Sequence, residues 1–168
     1  MTAGLLRLVS SRLVVTKNIN QIKEKIMATR SVIAKLDNKG AKAIYCHSDG
    51  YLDYVGKILD EHYKDKSKID ELLAHGDLSF LDANIGVKLD FDDYKLFYEK
   101  EQCRFYHRDR GEKLNIETLT SEEDILDYAS SCGAEYIYMF AYDYWYVYDD
   151  NVKQFIELEE ALYAPIDK

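Results

Sequence analysis

The stretch that most restricts what this chain can become is EYIYMFAYDYWYVYDD, residues 135–150. Aromatic and β-branched side chains crowd it, and such residues fit a pleated, half-buried surface better than a helix. Two β-rich runs, 135–141 and 144–148, flank Tyr142-Asp143, so the pattern predicts two paired strands. The tyrosines in it (Tyr136, Tyr138, Tyr142, Tyr144, Tyr146 and Tyr148) cannot all be buried with bonded hydroxyls. Some must reach a surface or an interface.

A second hairpin is expected earlier. Residues 31–36 and 41–47 alternate in polarity around Asp37-Asn38-Lys39-Gly40, a four-residue loop. Ser48 or Asp49 can then cap a helix over 51–63, with Leu52, Val55, Ile58, Leu59 and His62 along one stripe. Asp65 or Ser67 can start another helix through Ile69, Leu72 and Leu73. Gly76 suits its end, and His75 sits in its last turn, where a cation meets the helix dipole. Residues 77–100 carry weaker signals: a helical turn at 78–81, faint alternation over 87–91 and a strand edge at 94–98. Residues 103–107 read as a strand and 108–111 as the turn after it. Ser121 opens a capping signature for a helix ending near Cys132-Gly133. Asp149, Asp150 or Asn151 can cap a last helix, with Val152, Phe155, Ile156 and Glu159 at helical spacing. These elements add up to an α+β fold, a mainly antiparallel sheet built from hairpins with helices packed on one face.

A chain of 168 residues suits one domain whose core needs neither disulfide nor metal, so no cofactor is expected. Residues 27–168 read as that single α+β domain. Residues 1–26 read as a basic N-terminal extension, with a short helix over 18–26, placed as a leader ahead of a start at Met27. Cys46, Cys103 and Cys132 show no disulfide-framework spacing, and the simplest expectation is a reducing cytoplasm. No run of about 18 apolar residues is present, so no membrane-spanning helix is expected. The net charge of −9 is uneven. Residues 121–168 hold twelve acids against Lys153 and Lys168. That acidity repels nucleic-acid phosphates, so no direct nucleic-acid contact is expected, and it attracts a basic protein surface.

Three clusters are candidate sites. Cys46-His47-Ser48-Asp49-Gly50 places three reactive side chain types in five residues. It reads first as a strand turning into a helix, with Cys46 in the core. The competing reading is a metal-dependent hydrolase or nucleotide-processing site using His47, Asp49 and His62, with Cys46 as a further catalytic candidate. No zinc-type spacing supports it, so no metal is assigned, and no base or electropositive setting is visible for a Cys46 nucleophile. His107-Arg108-Asp109 matches a kinase catalytic triplet, but the Asn that motif needs falls at Leu114 and no glycine-rich loop is present. Arg108 and Arg110 remain candidates for holding an anion; the plainer reading is a solvated charged turn. The third cluster is the aromatic band: Tyr142, Asp143, Tyr144, Trp145, Tyr146, Tyr148, Asp149 and Asp150. It reads either as a tyrosine-rich core sheet or as a protein interface, with Trp145 and the tyrosines as anchors inside an acidic rim.

Met27-Ala28-Thr29-Arg30-Ser31, the block Tyr45-Cys46-His47-Ser48-Asp49-Gly50-Tyr51, and Val55-Gly56 with Leu59, His62 and Tyr63 together resemble a family of small bacteriophage and prophage proteins. Gly76-Asp77 with Ser79, the turn from Arg108 to Glu112 and the late Trp145-Tyr146-Val147-Tyr148 strand are also similar. Ser48 stands where that family often has Trp. The resemblance implies a phage or prophage origin, hence the cytoplasm of a bacterial host, and a start at Met27, and it implies no established reaction. By analogy with small acidic phage proteins, it implies occlusion of a host protein, a defence nuclease among the possibilities. The resulting expectation is a non-enzymatic accessory protein that binds and modulates a host protein with a basic surface through its acidic, tyrosine-rich C-terminal face.

Overall fold

The computed structural model describes residues 28–165. The extension 1–26, its expected helix and Met27 lie outside them. The fold is α+β, built on an eight-stranded, mostly antiparallel sheet. β1 (Ser31–Asp37) and β2 (Gly40–Cys46) form the first hairpin, paired from Ser31 opposite Cys46 to Asp37 opposite Gly40. Its loop is therefore Asn38-Lys39, two residues rather than four, closed by the Asp37 carboxylate accepting from Lys39 N at 2.8 Å.

A π-helical turn, Leu52–Gly56, runs on into α1 (Lys57–His62). Neither Ser48 nor Asp49 caps it, because residue 51 stands at its start without a side-chain cap. The wide turn has a local cause. The Gly56 and Lys57 amides reach back five residues, to the Tyr51 and Leu52 carbonyls, while the Gly50 carbonyl, which an α turn would offer to Tyr54, accepts from the buried Tyr138 hydroxyl at 2.8 Å. Gly50 itself is required by proximity, since a Cβ there would lie 2.8 Å from that of Ser31. Its amide donates to the Thr29 carbonyl, which anchors the chain entering β1.

α2 (Lys66–Ala74) starts as expected at Asp65, whose carboxylate accepts from the Ser67 and Lys68 amides. Next come β3 (Leu78–Phe80), α3 (Tyr94–Glu99), β4 (Arg104–Phe105) and α4 (Tyr106–Arg110). β3 replaces the expected helical turn, α3 the expected strand edge, and 87–91 forms no strand. The strand expected over 103–107 shrinks to two residues before α4 takes over. After β5 (Glu117–Leu119), α5 (Glu122–Cys132) opens on Ser121, whose hydroxyl accepts from the Asp124 amide, and closes at left-handed Gly133. The aromatic run folds as β6 (Tyr136–Ala141) and β7 (Tyr144–Asp149) around a Tyr142-Asp143 turn. The expected last helix is instead β8 (Gln154–Glu157) followed by α6 (Leu158–Tyr163).

The strand order is β4-β3-β2-β1-β6-β7-β8. β5 shares the outer edge of β2 with β3, pairing at Ala41 to Ala43 while β3 meets Cys46. β1 and β6 run parallel, joining the two hairpins into one sheet. Both faces are covered, not one. Ile33, Ile44, Cys46, Tyr138, Phe140, Trp145 and Val147 meet α1, α2 and α6. On the other face Val32, Ala34, Ala41, Ala43 and Ala141 meet Ile125 and Ala129 of α5. The alanines keep that layer thin enough for α5 to lie close. Each large apolar side chain fully buried in either layer contributes roughly 1.5–3 kcal/mol. Among the described residues no helix is long and apolar enough to cross a membrane.

Candidate functional site

The aromatic run divides by strand alternation. Trp145 and Val147 point into the first core, while Tyr144, Tyr146 and Tyr148 point to the side of α5. Trp145 is 6% exposed and its indole N–H donates to the Tyr63 carbonyl at 2.7 Å. It is a core residue, not an interface anchor. Tyr138 is likewise wholly buried. The exposed aromatics are Tyr142 at 81% and Tyr144 at 58%, with Tyr146 and Tyr148 half-buried beside them.

α5 lies over β1 and β2 and ends its cover near β6. Beyond it, Leu126, Met139, Tyr142, Tyr146, Tyr148 and Phe155 line an open groove of about 290 Å³. Tyr148 meets Phe155 edge to face at 5.3 Å, which stiffens its outer wall. Both turn residues, Tyr142 and Asp143, have positive φ, 53° and 70°. That turn geometry normally takes Asn-Gly, so a tyrosine here is strained and held outward. Residues 135–165 carry seven acids against Lys153. Asp143 pairs with Lys66, Asp150 with Lys153, and Asp149 accepts from the Asn151 amide at 2.8 Å. The two ion pairs are exposed and screened by solvent, so each yields easily to a partner.

The first predicted cluster does not assemble. Cys46 is wholly buried in the first core, and burial pushes its thiol up to about 12, far from a reactive thiolate. His47 continues the strand pairing, donating its amide to the Leu78 carbonyl, while its Nδ1 meets the Tyr45 hydroxyl at 2.9 Å. Tyr45 and His47 are on the α5 side of the sheet, whereas His62 ends α1 over the other face beside Glu61. Asp49 is exposed in a left-handed conformation. Among the described residues no three His, Cys, Asp or Glu side chains are grouped to hold a metal ion. The segment is a strand-to-helix junction.

Arg108 is also spoken for. Its guanidinium grips Asp109 through Nε at 2.9 Å and Nη2 at 3.1 Å, and it donates to the Ile85 and Cys103 carbonyls. Asp109, fully buried in its side chain, accepts in addition from the Leu89 and Phe105 amides. This latch ties the 85–89 loop to β4 and commits four of the five Arg108 donors, leaving one Nη1 N–H and no fork for an outside anion. Arg110 stays at the surface against Phe91 and Tyr106. His75 lies on Phe105 at 4.8 Å, and burial, with Arg108 next, holds it below its ordinary pKa, so it does not serve the helix as a cation.

What the residue pattern alone missed was the sidedness of Trp145. Period-two alternation from Tyr144 already puts Trp145 on the opposite face, and that was the available signal. Comparison of the chain with protein-family models, with characterised proteins and with solved structures finds no match.

Proposed function

We propose that this chain is a binding protein that docks a basic segment of a host protein on the groove between α5 and the β7–β8 wing. The observation that carries this reading is the tyrosine face itself: Tyr142 and Tyr144 exposed on a strained turn, an aromatic groove behind them, and an acidic surround. Tyrosine offers large contact area with little side-chain freedom to lose, and the groove mixes aromatic walls with the polar Glu122, Lys153 and Gln154. The acids steer a cationic partner and exclude nucleic acid by like charge. The resemblance to phage and prophage proteins supports a phage accessory role that modulates its host, with inhibition of a defence protein, including an RNA-guided nuclease, as one form.

The test is capture from host lysate by the full chain, followed by affinity measurement with the purified partner. Tyr142→Ala with Tyr144→Ala should leave unfolding stability within about 0.5 kcal/mol of wild type, as exposed sites do. The same pair should weaken binding by at least about tenfold. Lys at Asp143, Asp149 and Asp150 together should weaken binding further and flatten its salt dependence. A partner that binds both variants as it binds wild type would place the interface elsewhere.

A further inference from the structure

We propose that Arg104 and Arg110 form a binding site for a small phosphate-type oxyanion at the β4 edge of the sheet, opposite the edge that ends in β8. Arg104 stands on β4 across from Phe80 of β3. Its guanidinium lies 4.1 Å from the Phe91 ring centroid and 5.8 Å from that of Phe80. The side chain is half-buried, and its Nε is fully buried with no hydrogen-bond partner. Among the described residues no hydrogen bond or ion pair holds this guanidinium; its contacts are the two rings.

That arrangement is incomplete as it stands. A guanidinium carries five donors and keeps its proton, so burial without an acceptor is unfavourable. Aromatic faces attract the cation but accept none of its hydrogen bonds in the plane of the fork. Burial, and beyond it the nearby Arg110, works against the charged form. An anion from outside would bond the Nη groups and offset part of that cost, since Nε itself is closed to solvent.

Arg110 supplies the second arm. Its guanidinium is 4.3 Å from the same Phe91 centroid and 4.9 Å from that of Tyr106. Phe91 and Tyr106 are stacked at 5.5 Å, so the platform between the two cations is fixed. Both guanidinium carbons lie within 4.3 Å of that one centroid, so they stand at most about 8.4 Å apart, a gap that one tetrahedral oxyanion bonded to an Nη of each can bridge. Arg110 donates to Glu112 at 2.7 Å, but both side chains are nearly half exposed, and such a pair is readily exchanged. The other acids near Arg104 are Asp92 and Asp109, and Asp109 is already committed to Arg108.

The experiment is NMR on the 15N-labelled full chain, titrated at constant ionic strength with inorganic phosphate and, in parallel, glycerol 3-phosphate. The Nε–Hε signals of Arg104 and Arg110 should shift and saturate with half-saturation on the order of 1 mM. The Arg108 signal should stay still. Arg104→Gln should weaken binding by about tenfold or more, and Arg110→Gln by about fivefold. Glu112→Gln, which frees Arg110, should tighten it about twofold. Saturation by phosphate alone identifies a free ion, and saturation by the ester identifies a phosphate monoester. No saturable shift up to about 50 mM of either probe overturns the site. So does unchanged affinity in Arg110→Gln, whose surface position keeps the fold intact even if Arg104→Gln does not.

Discussion

At the β8 edge of the sheet the side chains alternate in and out, and each strand pairs along its length with the next. At the β4 edge two- and three-residue strands are held by side chains that reach backbone groups far away in sequence. Arg108 donates to Ile85 and Cys103, Gln102 to Val87, Lys68 to Ala83, and the Tyr63 hydroxyl to Asp82. The first edge is stabilised by pattern and the second by particular bonds. A patterned edge can spare its outer face for other uses, as the tyrosine groove shows. A bonded edge has few spare donors, which makes the unbonded Arg104 the exception within it.

Breaking the latch tests that contrast hardest. Asp109→Ala strands a buried Arg108 and two backbone amides, and unfolding stability should fall by about 3–5 kcal/mol. Urea denaturation measures it, and a loss below about 1 kcal/mol would show that the edge does not depend on the latch. On the patterned side, Trp145→Phe keeps an apolar ring but leaves the Tyr63 carbonyl without its donor. The expected loss is about 1–3 kcal/mol, with binding on the groove unchanged. A loss of binding with stability intact would return Trp145 to the interface.

The smallest effect is a pH dependence. His75 has an ordinary pKa of 6.5 and a lowered one when folded, caused first by burial. Below the ordinary value the unfolded chain binds the proton and the folded chain resists it. The stability is therefore complete above about pH 6.5 and is lost as pH falls toward the lowered folded value. Asp77 and Asp82, raised by burial from 3.8, act in the opposite sense at lower pH. His75→Phe should flatten the change in urea midpoint between about pH 7.5 and pH 5.5. An unaltered slope would assign that window to other groups.

The same contrast decides what could be read from residues alone. The two hairpins and α5 were legible because alternation and capping are local signals, and the acidic tyrosine face came with them. The β4 edge was not, because a two-residue strand has no period to detect. α3 reads as strand from its aromatics, yet Asp93 caps it by accepting from the Leu96 amide. Residues 152–159 mimic a helix because Val152, Phe155, Ile156 and Glu159 share helical spacing, whereas 154–157 pair with β7 from Gln154 opposite Asp149 to Glu157 opposite Tyr146, a partner that local spacing does not reveal. Arg104 is silent in the sequence, since a strand position says nothing about an orphaned Nε.

The parallel seam between β1 and β6 has a consequence for the order in which the chain is assembled. Ser31 waits for Tyr136, about a hundred residues later. At synthesis rates of about 5–20 residues per second, the first hairpin stands for roughly 5–20 s with the apolar flank of β1 unoccupied. Loop closure over that span makes the seam a late, slow event, well after each hairpin has zipped. Ribosome-held chains cut just before and just after β6 would show it: the shorter ones should carry a sticky strand edge that the longer ones have sealed.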